Sequence, residues 1–316
     1  MRLAAVDLGS NAARLLVVSV FKDALGKKDW KALEYVRVPL RLGEDVFLTG
    51  KIGAVRRQQL LDTMQGFSKL MAAFSVDHSM ACATSAMREA GNGAELLALI
   101  QQHAGLALEV ISGVREAELI YKAHRYLAGP NDRLMLMDVG GGSTEISLIQ
   151  GQELVACHSI ALGAVRLLDQ TDREEDWKGL KDFVKNQIRS FQPTVFYGSG
   201  GNINKVFELM KAKKGVPCTY KSLDKLHKQL ESYPTPQRML TYGLNEDRAD
   251  VIVPATRLFL WVMRQAEISK LYNSKLGLKE GLIMDLIEKH AGDTPSYWAG
   301  WGPGPLSDTT HLSTAE

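Results

Sequence analysis

The sequence is poor in cysteine, in paired histidines and in long apolar runs. Its three cysteines, Cys82, Cys157 and Cys218, form no CxxC pair, so neither a disulfide framework nor a zinc site is indicated. None of the seven histidines belongs to an HxxxH or HExxH pair, which argues against a transition-metal or metalloprotease site. We therefore expect a protein of the reducing cytoplasm.

A membrane-inserting segment and a strong net charge are also lacking. The most apolar stretch, residues 251–263, is too short to cross a bilayer and contains Pro254 and Arg257. At the chain start, Asp7 stands where a signal peptide needs an unbroken apolar core. The net charge of +2 neither requires nor excludes a polyanionic ligand. We expect no membrane partner and no nucleic-acid partner.

The apolar residues that are present are sufficient for two domains. A chain of 316 residues with 45% hydrophobic and 23% charged residues is typical of a globular protein and is long for a single core. We place the boundary near Lys122, which divides the chain into domains 1–122 and 123–290. Residues 291–316 are rich in Gly, Pro, Ser and Thr, and this composition predicts a mobile tail.

Residues 134–149 are the most informative stretch. Apolar residues lead to Asp138, the segment Gly140–Gly142 follows with Ser143 and Thr144, and a strand-like pattern then resumes. This pattern predicts a β-hairpin with its tip at residues 140–144. Because glycines lack Cβ atoms, their N–H groups can approach a phosphate closely, and the two hydroxyls add donors. Asp138 would face a metal ion on that phosphate.

The chain start repeats this design. An apolar strand leads to Asp7, then Gly9, Ser10 and Asn11 follow, and a second apolar strand begins. Two hairpins with an Asp at the same place predict two related halves that face one ligand. The alternative for either hairpin alone is an ordinary turn, since glycine clusters mark turns in general.

Three junctions between predicted strands and helices carry further candidates. Residues 84–89 predict a hydroxyl N-cap and a helix start, where Arg88 could clamp phosphate oxygens or be a solvated side chain. Glu116 falls in the first turn of another helix, where the helix dipole favours the ionised carboxylate and so predicts a low pKa. A surface acid is the alternative there. Gly200 and Gly201 open a helix after a buried strand, which is the expected place for an anion.

Residues 205–228 are locally basic. A solvated face is one interpretation of this stretch, and a track for a polyanion is the other. The lysines concerned are Lys211, Lys213, Lys214, Lys221, Lys225 and Lys228.

In combination, these motifs resemble the exopolyphosphatase and guanosine pentaphosphate phosphatase family. The resemblance implies an α/β fold of two actin-like (ribonuclease H-like) domains whose mixed sheets flank a central cleft. It spans most of the chain and is carried by residues 5–11, 83–90, 111–117, 137–145, 162–167, 197–201, 248–255 and 277–282.

The resemblance implies a phosphohydrolase that releases terminal orthophosphate from inorganic polyphosphate by water attack. Asp7 and Asp138 would hold Mg²⁺ or another divalent cation, Glu116 would orient or deprotonate the water, and Arg88 would neutralise developing charge. The implied phosphate-binding residues are Gly9, Ser10, Asn11, Gly140, Gly141, Gly142, Ser143, Thr144, Gly200 and Gly201.

The chain departs from the family pattern at Ala12, Arg115 and Asn202, where the family usually has Ser, Glu and Thr. The first departure removes a hydroxyl donor to phosphate, and we expect weaker binding from it. Two other functions stay open, namely a guanosine pentaphosphate 5′-phosphohydrolase and a catalytically weak polyphosphate or nucleotide sensor. A homodimer is compatible with the sequence.

Overall fold

The computed structural model describes residues 1–22 and 28–291. They form two mixed β-sheets with helices between and outside them, which confirms the predicted α/β class. Apart from its first residue, the predicted tail 291–316 lies outside the described residues. Within the described ranges, no helix is both long and apolar enough to cross a lipid bilayer.

The first sheet has the strand order β3-β2-β1-β4-β5, with β1, β2 and β3 antiparallel and β1, β4 and β5 parallel. Strands β1 and β2 are almost continuously apolar, because both faces of the sheet are covered. In chain order this part comprises β1 (Arg2–Leu8), β2 (Ala12–Lys22), β3 (Lys28–Pro39), α1 (Leu42–Thr49), α2 (Ala54–Ala73), β4 (His78–Ala83), α3 (Ser85–Glu89), α4 (Gly93–Ala104), β5 (Leu108–Val110) and α5 (Gly113–His124).

The second sheet repeats this plan, with order β10-β11-β9-β6-β7-β8. Strands β6, β7 and β8 are antiparallel, whereas β6, β9 and β11 are parallel. The elements are β6 (Arg133–Val139), β7 (Thr144–Gln150), β8 (Glu153–Ile160), α6 (Ala164–Leu168), α7 (Glu174–Phe183), α8 (Arg189–Phe191), β9 (Val195–Ser199), α9 (Gly201–Leu209), β10 (Cys218–Thr219), α10 (Tyr220–Glu231), α11 (Thr235–Tyr242), α12 (Glu246–Ala249), α13 (Ile252–Gln265), β11 (Lys270–Asn273) and α14 (Leu278–Ala291).

Helices α5 and α14 form the layer between the sheets. They pack against each other, α5 also packs on β7 and β8, and α14 packs on β1, β2 and β4. One apolar cluster joins both sheets through these helices, and two further clusters cover the outer faces. The sequence places a domain boundary at Lys122, inside α5, and this boundary stays a prediction.

Two local features differ from the sequence-based expectation. Helix α1 was not predicted; it follows Arg41, whose left-handed backbone (φ 52°) turns the chain out of β3. Thr84 is the N-cap residue of α3, but its side chain makes no capping hydrogen bond, so the predicted hydroxyl cap is absent. The neighbouring Ser85 hydroxyl instead lies 2.8 Å from Ser10 Oγ.

Candidate active site

The tips of the two predicted hairpins, β1–β2 and β6–β7, meet at the centre of the molecule. A Cβ atom on Gly141 would lie 3.0 Å from the Ser10 Cβ and 3.4 Å from the Asn11 backbone nitrogen. A Cβ atom on Gly142 would lie 2.5 Å from Ser85 Oγ. Glycine at position 141 therefore allows the two tips to approach each other, and glycine at position 142 allows the second tip to pack against α3.

The two aspartates occupy equivalent places but have different partners. In the first hairpin, Asp7 lies opposite Arg14, whose guanidinium is 2.6 Å from Asp7 Oδ2. In the second, Asp138 lies opposite Glu145 and accepts a hydrogen bond from the Ser199 hydroxyl. Burial raises the pKa of Asp138 above its usual range, although the Ser199 hydrogen bond and Arg14 oppose this shift.

Glu116 enters the same cleft from the first turn of α5. Ser112 caps this helix, since its hydroxyl accepts a hydrogen bond from the Arg115 N–H at 3.1 Å. Glu116 is only 9% exposed, and its Oε2 is buried without a hydrogen-bond partner. Burial, followed by the charge of Glu145, raises the pKa of Glu116 well above its usual value. The low pKa expected from the helix dipole is therefore wrong, because loss of hydration outweighs the dipole.

Glu145 is a candidate that the sequence reasoning missed. It is 2% exposed, accepts a hydrogen bond from Ser159 Oγ at 2.8 Å through Oε1, and has no partner for Oε2. Burial, followed by the charge of Asp138, raises its pKa to about 7. The signal was present in the sequence, because a tight hairpin that pairs residue 139 with 144 also pairs 138 with 145.

Arginines surround this acidic cluster. Arg88 donates to the Ile111 carbonyl at 2.8 Å, and its charge opposes the pKa rise of both buried glutamates. Arg248 lies over Gly201, where a Cβ atom would come within 2.3 Å of its guanidinium. Burial, followed by the charges of Arg37 and Arg14, lowers the pKa of Arg248 to about 10. Crowded cations of this kind favour an anion between them.

The polar side chains at the tips are largely engaged by the protein itself. Thr144 donates its hydroxyl to the Leu162 carbonyl, and Asn11 donates to the Asp247 carbonyl at 2.8 Å. The Ser143 hydroxyl interacts with Glu145 and opposes the rise of that glutamate's pKa. Within the described chain, the backbone N–H groups of the segment 141–142 make no backbone hydrogen bond. Backbone donors are therefore better placed to meet a phosphate than the Thr144 hydroxyl.

The remaining predicted glycines line the same centre. Gly9 donates its N–H to the Ala12 carbonyl at 3.1 Å, and Gly140 donates to the Ser143 carbonyl at 3.0 Å. Gly200 has a φ of 99°, and a Cβ atom there would lie 3.3 Å from Asp138 Oδ1. Only glycine fits this position without strain.

The cleft between the tips is narrow. A cavity of about 20 Å³ lies there, with Arg14, Asn202 and Arg248 in its lining, which is room for about one water molecule. Ion pairs tie the two halves together across it: Arg37 with Asp247, Arg41 with Asp250 at 2.6 Å, and Arg166 with Glu89.

The fit of a divalent cation can be judged from the carboxylates. Among the described residues, no group of three or more His, Cys, Asp or Glu side chains is arranged to hold a metal ion. Arg14 donates a hydrogen bond to Oδ2 of Asp7, and Ser199 donates one to Oδ2 of Asp138. The Oδ1 atom of each aspartate is therefore left for a cation. Mg²⁺ commonly takes one or two carboxylates and keeps several waters, so these two residues fit it.

Comparisons with known proteins agree on one family. A model of the Ppx/GppA phosphatase family matches residues 26–290. Exopolyphosphatase 1 of Mycobacterium leprae is 27% identical over 315 residues, which cover 93% of this chain and 92% of that protein. A guanosine-5′-triphosphate,3′-diphosphate pyrophosphatase of Vibrio parahaemolyticus is 24% identical over 299 residues, which cover 90% of this chain but 59% of the relative.

Solved structures give the same result. A crystal structure of an exopolyphosphatase from Cytophaga hutchinsonii matches with a TM-score of 0.80 and 25% identity, covering 92% of this chain and 98% of that one. The Aquifex aeolicus member of the Ppx/GppA family matches with a TM-score of 0.73 and 26% identity over the same shares. These likenesses confirm the predicted two-domain, actin-like fold.

Proposed function

Because the chain belongs to the Ppx/GppA phosphatase family, we propose that it releases terminal orthophosphate from inorganic polyphosphate by water attack on the terminal phosphorus. The observation that carries this proposal is the unpartnered Oε2 of Glu116, buried beside Glu145 and the two hairpin aspartates. A buried carboxylate oxygen without a donor is a site for an ordered water.

The hairpin tips bind the phosphates in this proposal. Phosphoryl transfer needs positioned donors more than covalent chemistry. Gly141 packs against Ser10 and Asn11 across the narrow cleft, so one terminal phosphate held by the N–H groups of residues 141–142 would contact both hairpins. Gly200 and Gly201, at the start of α9, would meet the next phosphate together with Arg248. The tip of the β6–β7 hairpin would be shaped by Gly140, Ser143 and Thr144. The tip of the β1–β2 hairpin would be shaped by Gly9.

Glu116 accepts the proton of the attacking water. A general base works best when its pKa lies near the working pH, and burial raises the pKa of Glu116 in that direction. Glu145 acts on it through charge, since it is the largest charged contributor to that rise. Arg88 keeps its remaining guanidinium donors for oxygens of the transferred phosphate, where negative charge develops.

Asp7 and Asp138 would hold Mg²⁺ or another divalent cation, mainly through waters. When bound, such an ion neutralises charge on phosphate oxygens. Arg14 holds the Asp7 carboxylate, and the Ser199 hydroxyl holds that of Asp138.

The test is phosphate release from tripolyphosphate, long-chain polyphosphate and guanosine pentaphosphate, each with and without Mg²⁺. Release from the inorganic chains that requires the cation supports the proposal. Preferential release from guanosine pentaphosphate would select the second candidate, which the similarity to the Vibrio pyrophosphatase favours. Binding of polyphosphate without any turnover would make the protein a sensor and overturn the enzymatic proposal. Cytoplasmic location and a homodimer stay predictions from the sequence.

A further inference from the structure

A buried histidine stands at the end of the helix whose first turn carries Glu116. His124 is the last residue of α5 and is fully buried in the layer between the two sheets. The roles assigned above to catalysis, phosphate binding and cation binding do not use it. Burying an imidazole is unfavourable unless its nitrogens find hydrogen-bond partners. The partners of His124 therefore indicate what it does.

Both ring nitrogens of His124 have a partner. Nδ1 lies 2.7 Å from the Ile120 carbonyl oxygen, one turn earlier on α5, and Nε2 lies 2.8 Å from Ser274 Oγ. Burial lowers the pKa of His124 to about 4, so the imidazole is neutral at neutral pH. Because a carbonyl can only accept, the single ring hydrogen is on Nδ1, and Nε2 accepts the hydrogen of the Ser274 hydroxyl.

The contact with Ser274 ties α5 to the turn between β11 and α14, residues 274–277. Ser274 Oγ accepts the Leu276 N–H at 3.2 Å, which closes the turn on itself. Lys275 has a left-handed backbone with a φ of 59°. A non-glycine residue keeps this conformation only where its surroundings hold it. The hydrogen bond to His124 is one of the interactions that hold this β11–α14 turn.

The β11–α14 turn reaches the aspartate of the second hairpin. The Leu276 carbonyl oxygen lies 2.6 Å from Ser199 Oγ, and the same hydroxyl contacts Asp138 Oδ2. Ser199 is fully buried and lies beside Asp138 on the neighbouring parallel strand. A Cβ atom on Gly277 would lie 3.7 Å from Ser199 Oγ. A continuous chain of contacts therefore runs from the end of α5 to Asp138.

The imidazole determines which acceptor takes the Ser274 hydrogen. Two other acceptors, the carbonyl oxygens of Gly198 and Leu276, each lie 3.4 Å from Ser274 Oγ. A hydroxyl has one hydrogen, and the shorter contact with His124 Nε2 takes it. The Leu276 carbonyl is thereby left for Ser199. Without this imidazole, Ser274 would compete with Ser199 for that carbonyl.

We propose that His124 is a positioning residue for Asp138. It acts through the β11–α14 turn, which fixes the Ser199 hydroxyl on the aspartate. The inference rests on the proposed function, because Asp138 is assigned there to a divalent cation. Helix α5 would then carry the general base Glu116 at its start and orient a cation-binding carboxylate from its end.

The experiment measures Mn²⁺ binding to the protein by electron paramagnetic resonance, without any phosphate, so that no turnover is needed. Mn²⁺ accepts the same oxygen ligands as Mg²⁺. Asp138→Asn identifies the site, because it should weaken this binding. His124→Leu keeps an apolar side chain but removes the acceptor, and it should raise the dissociation constant by about tenfold, the lower end of the range for groups that orient metal ligands.

Two further variants test the hydrogen bond itself. Ser274→Ala removes the same link from the other end and should weaken Mn²⁺ binding to the same extent as His124→Leu. His124→Gln keeps an oxygen acceptor for the Ser274 hydroxyl and should bind Mn²⁺ nearly as well as the wild type. These variants keep the inference testable if His124→Leu does not fold.

A matched control separates orientation from stability. Ile287→Ala removes buried methyl groups of α14 from the apolar cluster that joins the two sheets. It should lower the melting temperature, because it leaves a cavity. Its Mn²⁺ affinity should stay at the wild-type value, because no contact between His124 and Asp138 is altered.

A double variant tests the route of the effect. Ser199→Ala removes the hydroxyl that contacts Asp138 and should weaken Mn²⁺ binding by about tenfold or more. His124→Leu combined with Ser199→Ala should bind no more weakly than Ser199→Ala alone, since the influence of His124 passes through that hydroxyl.

Three results in the variants would overturn the inference. The first is wild-type Mn²⁺ affinity in both His124→Leu and Ser274→Ala. The second is a loss of affinity in Ile287→Ala as large as that in His124→Leu, because general loosening would then explain both. The third is that the effects of His124→Leu and Ser199→Ala multiply in the double variant.

The wild-type protein distinguishes this inference from the proposed function. Absence of Mn²⁺ binding would remove the cation site and the inference with it. Mn²⁺ binding that follows the expected pattern of variants, in a protein that releases no phosphate, would support the role of His124 and overturn only the enzymatic function.

Discussion

The two hairpins share a backbone plan but not a charge. Each has an aspartate at the same place, yet the residue opposite is Arg14 in the first hairpin and Glu145 in the second. The first hairpin therefore carries a neutral ion pair and the second a pair of acids. Glu116 is buried near this acidic side, and burial, followed by the charge of Glu145, raises its pKa. An internal repeat in the fold thus gives two chemically different faces to one cleft.

The strongest test of this difference removes the charge of Glu116. We expect Glu116→Gln to lower phosphate release by about 10²- to 10⁴-fold, the usual contribution of a general base, with polyphosphate binding little changed. The control is Glu118→Gln, the same chemical change on a half-buried, ion-paired residue of α5. Wild-type turnover in Glu116→Gln would mean that another group activates the water.

The metal-binding role of the hairpins can be compared directly. Asp7→Asn and Asp138→Asn should each raise the Mg²⁺ concentration for half-maximal activity by about tenfold, because each removes a carboxylate of the proposed ion site. The exposed Asp182→Asn on α7 serves as the control. If only the Asp138 variant responds, Asp7 is a counterion of Arg14 and the metal belongs to the second hairpin alone.

The pH dependence of turnover tests the interaction between Glu116 and Glu145 on the acidic side of the cleft. Activity should appear as the pH rises through the pKa of Glu116, because the base must be ionised. Glu145 is the main charged cause of that raised pKa, so Glu145→Gln should move the acid limb to lower pH by about one unit. An unmoved acid limb would show that the two carboxylates do not interact during turnover.

The smallest expected effect is on stability. Burial raises the pKa of Glu145 from 4.5 to about 7. Its stabilising contribution is therefore fully present below pH 4.5 and is lost as the pH rises to about 7. Glu145→Gln, which cannot ionise, should raise the melting temperature at pH 8 by about 2–4 °C, equivalent to about 1 kcal/mol, and much less at pH 4.5.

This measurement is made in EDTA, so that no divalent cation compensates the charge. The exposed Glu153→Gln on β8 is the matched control and should leave the melting temperature unchanged at both pH values. A shift that is equal at pH 4.5 and pH 8 would contradict the ionisation argument, since it would report packing rather than charge.

Much of the fold was predictable because its signals are local. The hairpins at Asp7 and Asp138, the glycine tips and the strand-to-helix junction at Gly200 all appear as short patterns of apolar, glycine and hydroxyl residues. Helix α1 was missed because it begins after a left-handed Arg41, a conformation that no residue preference announces. Glu145 was missed because its place in the cleft depends on cross-strand register.

The sequence by itself determined the two-hairpin design, because a turn at glycine and a strand formed by a short apolar run are set by neighbouring positions. Only the tertiary structure decided the state of the carboxylates. Glu116 lies at a helix start both in the sequence-based prediction and in the structure. Its pKa, however, follows burial and the charge of Glu145, which approaches from strand β7. Hydration and charge depend on which distant segments meet, and this information is absent from any single stretch of the chain.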